Sequence, residues 1–397
     1  MLKKIPVAQL QTGMYVHALC GTWLSHDFWR TSFLIDKPEI LHKLRASAVQ
    51  EVWIDLTRGA DASAADQPSA LTAFTQETSP SELAPELQRA AAICEQGRDA
   101  VMHMFSEARM GTALDTRTAN TLVSAICSSV ERHPDALISV ARLKTADNYT
   151  YMHSVAVCGL MVALAKKMGL PNAQIQQAGM AGLLHDMGKA HTPLEILNKP
   201  GALTDEEFSH MKQHPVHGYR ILKETVQDEQ VLNACLHHHE RLDGKGYPHG
   251  LHSESIPLLT RMTSICDVYD AITSDRPYKK GWSPGVALQR MSQWCDTHLD
   301  AKIFDVFVQT IGLYPVGSLV RLQSGLLGVV CAPAQNSMCA PQVAAFYHIG
   351  LQRMLRPAKL LDLEKMPHER IVSGEDPAKW PFKNLESLWQ KAAHANV

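Results

Sequence analysis

The chain has 397 residues, 45% of them apolar and 20% charged, with a formal net charge of −2. That length exceeds one ordinary core and calls for two or three domains, and the near-zero charge excludes a global basic field for duplex nucleic acid. No apolar run approaches the roughly 20 residues that span a bilayer, and Met1-Leu2-Lys3-Lys4-Ile5-Pro6 lacks the apolar core of a secretory signal. Nine cysteines lie scattered without a Cys-x-x-Cys pair, most in apolar contexts such as Cys127, Cys158, Cys235 and Cys266. They point to reduced, packed thiols and a cytoplasmic protein.

In chain order, residues 1–58 read as a small α+β accessory or regulatory domain. Val7–Val16 and Glu51–Leu56 have strand composition, and Lys37–Ser47 looks helical. Residues 59–80, rich in Ala, Ser, Thr, Asp and Gln, form a flexible linker. Residues 81–315 then carry helical periodicity throughout. Helices are expected over Pro85–Met110, Asn120–Arg132, Leu137–Leu143 and Tyr149–Met168, the last stopped by Gly169 and Pro171. Further helices are expected over Asn172–Lys189, Asp205–Val226 with Thr204 as cap, Val231–His239, Pro257–Ser274, Ser283–Trp294 and Lys302–Leu313. Residues 316–397 form a β appendage and tail. Its strands are Ser318–Leu322, Leu326–Cys331 and Gln342–Tyr347, followed from Pro367 by a polar tail with one amphipathic piece, Leu385–Ala392. The fold class is mainly α: a helical bundle with a small α+β domain before it and a short β appendage after it.

The stretch that organises the chain is Leu183-Leu184-His185-Asp186-Met187-Gly188-Lys189. It sets a nitrogen ligand beside a carboxylate able to bridge two cations, with a positive charge one turn on. Alone it reads equally well as a polar helix terminus in which Asp186 pairs with Lys189. What changes the balance is the supply of further donors on separate helices: His153, His214, His238, His239 and Asp267. Imidazoles with a few carboxylates suit Fe, Mn or Zn better than Mg or Ca. The donors exceed the need of one four-coordinate ion, and two ions sharing Asp186 suit in-line attack on phosphorus. His237 is left out, because consecutive helical residues lie about 100° apart and three cannot face one site. His133, His191, His210, His217, His249 and His252 are read as non-ligands, and one of Asp267 and Asp270 as a structural partner for Arg276.

The segment His238-His239-Glu240-Arg241-Leu242-Asp243-Gly244-Lys245-Gly246-Tyr247-Pro248 resembles the signature of the HD-GYP domain, a bacterial branch of the HD metal-dependent phosphohydrolases. The likeness extends through His153, His185 to Lys189, His214-Pro215 with Gly218, Asp267 to Ala271, and Asp275-Arg276-Pro277-Tyr278. It covers roughly residues 130–330, and the first 58 residues resemble a small domain often fused ahead of such domains.

The resemblance implies a phosphodiesterase that opens cyclic di-GMP to pGpG, with GMP as a further product, through a hydroxide held between two divalent ions. Those ions would be Fe or Mn, with Zn, Ni or Co as substitutes. By position, His153, His185, Asp186, His214, His238, His239 and Asp267 would bind metal, and Lys189 would act at the scissile phosphate or leaving oxygen. Arg276 and Lys279 would hold a substrate phosphate, while Gly246, Tyr247 and Pro248 would shape the substrate loop or meet a diguanylate cyclase partner. A homodimer is an admissible assembly. Some relatives carry an acidic residue one turn before the first His and hold three metals; here that position is Tyr149, whose phenol (pKa about 10) is a poor ligand. Two metals are therefore expected. The competing readings are a phosphohydrolase for another cyclic dinucleotide and a non-catalytic cyclic di-GMP sensor.

Overall fold

The computed structural model describes residues 2–20, 33–35, 41–42, 44–45, 51–55, 83–133, 136–137, 149–274, 281–332, 334, 337, 339–382 and 385. The chain divides into two compact units, Met1–Glu77 and Thr78–Val397. The expected linker and most of the expected helix Leu137–Leu143 lie outside the described residues, as does nearly all of Leu385–Ala392.

In the first unit, strands β1 (Leu2–Pro6), β2 (Tyr15–Cys20), β3 (Phe33–Leu34) and β4 (Glu51–Asp55) form an antiparallel sheet in the order β1-β4-β2-β3. Ile5, Val7, Leu10, Met14, Val16, Ile35, Leu44, Val52 and Ile54 form its core. Val7–Val16 is not one strand. Its apolar residues fall at irregular intervals, so Val7–Gln9 makes a single 3-10 turn and Gly13 turns the chain at φ 94° before β2 begins. Of Lys37–Ser47, residues 41, 42, 44 and 45 are described, and they are helical.

The second unit opens with α1 (Leu83–Met110) and α2 (Thr116–Arg132), the latter capped by Asp115, whose carboxylate accepts from the Arg117 N–H at 3.0 Å. Glu86, buried on α1, ties the two helices together by accepting from Arg132 Nε at 2.8 Å and Ser129 Oγ at 2.9 Å. Next come α3 (Tyr149–Lys167), largely buried, and α4 (Asn172–Leu184). They pack closely because α4 presents glycine: a Cβ on Gly182 would meet Cys158 Cα and Val157 O at 2.9 Å.

Helix α4 stops at Leu184, five residues short of expectation. Asp186 leaves the helical region at φ −99°, ψ 5°, and the chain tightens into a 3-10 turn over Met187–His191. Gly188 in that turn lies so close to the next strand of chain that a Cβ would collide with the carbonyl oxygen of His214. The expected helix Asp205–Val226 is likewise two: α5 (Asp205–Met211), with a Thr204–Glu207 capping box, and α6 (His214–Leu222), with Pro215 in its first turn. Besides a single helical turn at Leu194–Leu197, the remaining helices are α7 (Glu229–His237), α8 (Leu258–Thr273), α9 (Pro284–Ser292) and α10 (Ala301–Ile311).

The chain ends in a five-stranded antiparallel sheet: β5 (Leu319–Leu322), β6 (Leu326–Ala332), β7 (Gln342–His348), β8 (Arg353–Asp362) and β9 (Ile371–Gly374), in the order β8-β7-β6-β5-β9. Alternate residues of its strands feed apolar layers on both faces. Strands β8 and β9 were not expected. Arg353, Arg356, Pro357 and Lys359 disguise β8, an outermost strand that tolerates them, and β9 falls within the stretch expected as polar tail. Trp380 and Phe382 of that stretch pack on the sheet face around Phe346.

Candidate metal centre

Five separate pieces of the second unit deliver side chains to one buried place. His153 comes from the second turn of α3, His185 and Asp186 from the break after α4, and His214 from the first residue of α6. His238 and His239 follow the end of α7, and Asp267 lies on α8. His153, His185, Asp186, His214, His238 and Asp267 are all buried, and His239 is half-buried. All seven residues singled out from the sequence as metal donors thus share one cluster.

The cluster has two ends. At one, His153 Nε2 lies 3.3 Å from His185 Nε2 and 3.0 Å from Asp267 Oδ1. At the other, His214 Nε2 lies 3.2 Å from His238 Nε2, with the His239 ring 4.1 Å from that of His238. Asp186 sits between. Its Oδ2 is 3.6 Å from His153 Nε2 and 3.4 Å from His185 Nε2, whereas its Oδ1 is 3.3 Å from His214 Nε2 and 3.8 Å from His238 Nε2. One carboxylate oxygen therefore faces each end.

The outward nitrogens decide what the inward ones can do. Nδ1–H of His185 donates to the Gly182 carbonyl at 2.8 Å, that of His214 to Met211 O at 2.7 Å, and that of His238 to Cys235 O at 2.8 Å. His153 Nδ1 meets the Asp270 carboxylate at 2.6 Å. Acceptors on Nδ1 fix the proton there and turn every Nε2 lone pair inward. Lone pairs facing each other at little over 3 Å repel unless positive charge lies between them. Asp186 Oδ1 is also buried without a hydrogen bond, which is costly unless something cationic satisfies it. The donor set fits divalent cations, one at each end.

Electrostatics agree. Burial would raise the Asp186 carboxyl, but Lys189 and the His185 imidazole hold it well below the usual carboxylate range. Burial likewise opposes ionisation of Asp267, yet His153 and His239 hold it well down. Burial and the neighbouring imidazoles push His238 far below the ordinary imidazole value, and burial takes His239 to about 3. His185 is held above it: burial opposes its charge, but Asp186 and Asp267 outweigh burial. A proton and a divalent cation compete for such a place, and ligation displaces the proton.

The Gly-Tyr-Pro loop is anchored beside this cluster. Buried Glu240 accepts the backbone N–H groups of His249 at 2.7 Å, Gly250 at 3.1 Å and Leu251 at 3.0 Å, closing the loop on its own start. Gly246 packs against Glu240 and Arg241 so tightly that a Cβ would strike the Glu240 Cα. Tyr247 lies over the His239 ring at 4.8 Å, the planes 30° apart. Lys189 Nζ meets Asp186 Oδ2 at 2.5 Å while a fifth of its side chain stays exposed, so its ammonium stands where the cluster meets solvent. Arg276 and Lys279 lie outside the described residues, as does the side chain of Tyr149.

Of the histidines that the sequence left out as ligands, His237 Nε2 meets His249 Nδ1 at 2.9 Å, and its Nδ1 meets Asn233 Oδ1. Asp270 supports His153, its carboxylate 2.6 Å from Nδ1. Its spacing from Asp267, one turn on the same helix face, was the available signal. The carbonyls of Gly182, Met211 and Cys235 had none, because every residue carries one.

Residues 126–303 match the HD domain, and residues 2–119 match a domain of unknown function, DUF3391. A Pseudomonas aeruginosa protein named cyclic di-GMP phosphodiesterase PA4108 is 50% identical over 98% of this chain and 96% of its own. The chain belongs to the HD-GYP family. Family members with shorter matches include a Vibrio cholerae protein named 3′3′-cGAMP-specific phosphodiesterase 1, 36% identical over 45% of this chain and 42% of its own. The Xanthomonas campestris response regulator RpfG, named a cyclic di-GMP phosphodiesterase, is 39% identical over 40% of this chain and 43% of its own. As a family member the chain is a metal-dependent phosphodiesterase, mainly α, with an N-terminal domain and a C-terminal sheet appended. No helix among the described residues is long and apolar enough to cross a membrane.

Proposed function

We propose that the chain opens cyclic di-GMP to linear pGpG at a centre of two divalent cations. One would be held by His153, His185 and Asp267, the other by His214, His238 and His239, with Asp186 shared. The observation that carries this reading is the Asp186 carboxylate, which turns one oxygen to each set of imidazoles. The full-length likeness to a protein named for cyclic di-GMP supports the substrate. Bound cations supply Lewis acidity and make a water acidic enough to attack phosphorus at neutral pH; Fe or Mn suits the imidazole-rich set. Lys189 places an ammonium beside the scissile phosphate, where it stabilises charge developing on the transferred group or leaving oxygen. Tyr247 walls the cluster on the His239 side and orients the substrate. Arg276 and Lys279 add charge for a substrate phosphate. The eight described cysteines form no disulfide with one another, in keeping with a cytoplasmic setting.

Another cyclic dinucleotide is the second reading, supported by the relative named for 3′3′-cGAMP, because cations and imidazoles do not read bases. A sensor without turnover is disfavoured by the complete donor set. The test is anaerobically purified, metal-replete protein incubated with cyclic di-GMP and, separately, with 3′3′-cGAMP, the products resolved by chromatography. Faster conversion of cyclic di-GMP to pGpG is expected; two bound ions with no linear product from either nucleotide would overturn the reading.

A further inference from the structure

The break between α5 and α6 does two things at once. It frees the Met211 carbonyl to accept from His214 Nδ1, and it projects the next side chain, Lys212, toward the Gly-Tyr-Pro loop. Lys212 Nζ lies 4.6 Å from the centroid of the Phe208 ring and 5.9 Å from that of Tyr247. Its backbone is fixed by an N–H donated to Phe208 O at 2.9 Å. Tyr247 in turn lies on the His239 ring. The sequence His239, Tyr247, Lys212, Phe208 therefore runs as a continuous wall from the buried cluster to the surface, where Phe208 is 45% exposed.

Within that wall Lys212 is an unusual charge. Among the described residues it has no carboxylate partner and is held by two aromatic faces. A lysine normally loses side-chain entropy when an anion fixes it; here the rings have already restricted the stem, so an arriving anion meets an ordered ammonium. A chain of net charge −2 has no general surplus of positive charge to gather anions, which makes one placed cation informative. A cyclic dinucleotide carries two phosphates, and only one can lie over the cations at a time.

We infer that Lys212, braced by Phe208 and Tyr247, is the docking point for the non-scissile phosphate of the cyclic dinucleotide. The inference rests on the cyclic dinucleotide reading above, and it makes Lys212 a residue of substrate affinity with no part in bond cleavage. Its test is steady-state kinetics of the metal-replete full chain on cyclic di-GMP and on bis(p-nitrophenyl) phosphate, a diester with a single phosphate. Lys212→Ala should raise KM for cyclic di-GMP about tenfold with little change in kcat, lowering by the same factor the ratio of kcat/KM between the two substrates. Lys212→Arg should restore most of that ratio, and Phe208→Ala should lower it about threefold. An unchanged ratio overturns the inference, and so does an equal loss on both substrates with reduced metal content, which would mean Lys212 acts only through His214. A wild type that cleaves the small diester but not cyclic di-GMP would instead defeat the substrate reading, and this inference with it.

Discussion

The two ends of the metal centre are built from the same kind of ring but not from the same charge. At the His153 end, Asp267 joins Asp186, and a third carboxylate, Asp270, stands behind His153 at 2.6 Å. At the His214 end the rings of His214 and His238 meet the shared Asp186, the second oxygen of Asp267 lies farther off, 3.9 Å from His239 Nδ1, and backbone carbonyls stand behind His214 and His238. Charge count is one of the levers that sets cation affinity. The His153 end should hold its ion firmly, and the His214 end should hold one that exchanges readily.

Asp186 belongs to both ends, so its loss should erase the difference. Asp186→Ala is expected to lower turnover about a thousandfold or more and to take bound metal from two ions to less than one, read by elemental analysis. Retention of two ions would break the shared-carboxylate geometry. Asp270→Asn touches one end alone: it should weaken a single ion about 10- to 100-fold and leave the second in place, read by metal titration. Graded chelation of the wild type should then remove the ions in two steps, the first leaving the Asp267-bearing end filled, and Asp267→Asn should merge the steps. A single step in the wild type would mean the ends are equivalent. The smallest effect is expected at the loop beside the His214 end. Glu240→Ala leaves three backbone N–H groups without their acceptor, a cost of about 1–3 kcal/mol, seen as a lower Tm and a raised KM with two ions still bound.

Much of this was legible before any coordinates. The seven clustered side chains were visible because each is of rare chemistry inside a specific pattern, and the long helices because their apolar positions repeat. What was hidden is instructive. Apolar periodicity runs on through Asp186 and through Lys212-Gln213, so both helix breaks escaped notice, although both bring a donor to the centre. Helix α4 must end for Asp186 to turn one oxygen each way, and the Met211 carbonyl must leave its helix to orient His214. Strand β8 escaped because an edge strand can keep the Arg, Lys and Pro that argue against a strand in the middle of a sheet. Glu240 was legible as a letter of the signature but not as the anchor of its loop, since its partners are backbone amides.

The outward hydrogen bonds of the histidines carry a consequence for cellular supply. Four rings are already held in tautomer and direction by acceptors that belong to the fold, so an arriving ion meets donors that are already aimed. Stripped protein should stay folded and accept whichever divalent ion is offered first, the metal found in purified enzyme recording the growth medium as much as the sequence. In such a protein, the supply of divalent ions tunes turnover without a change in gene expression.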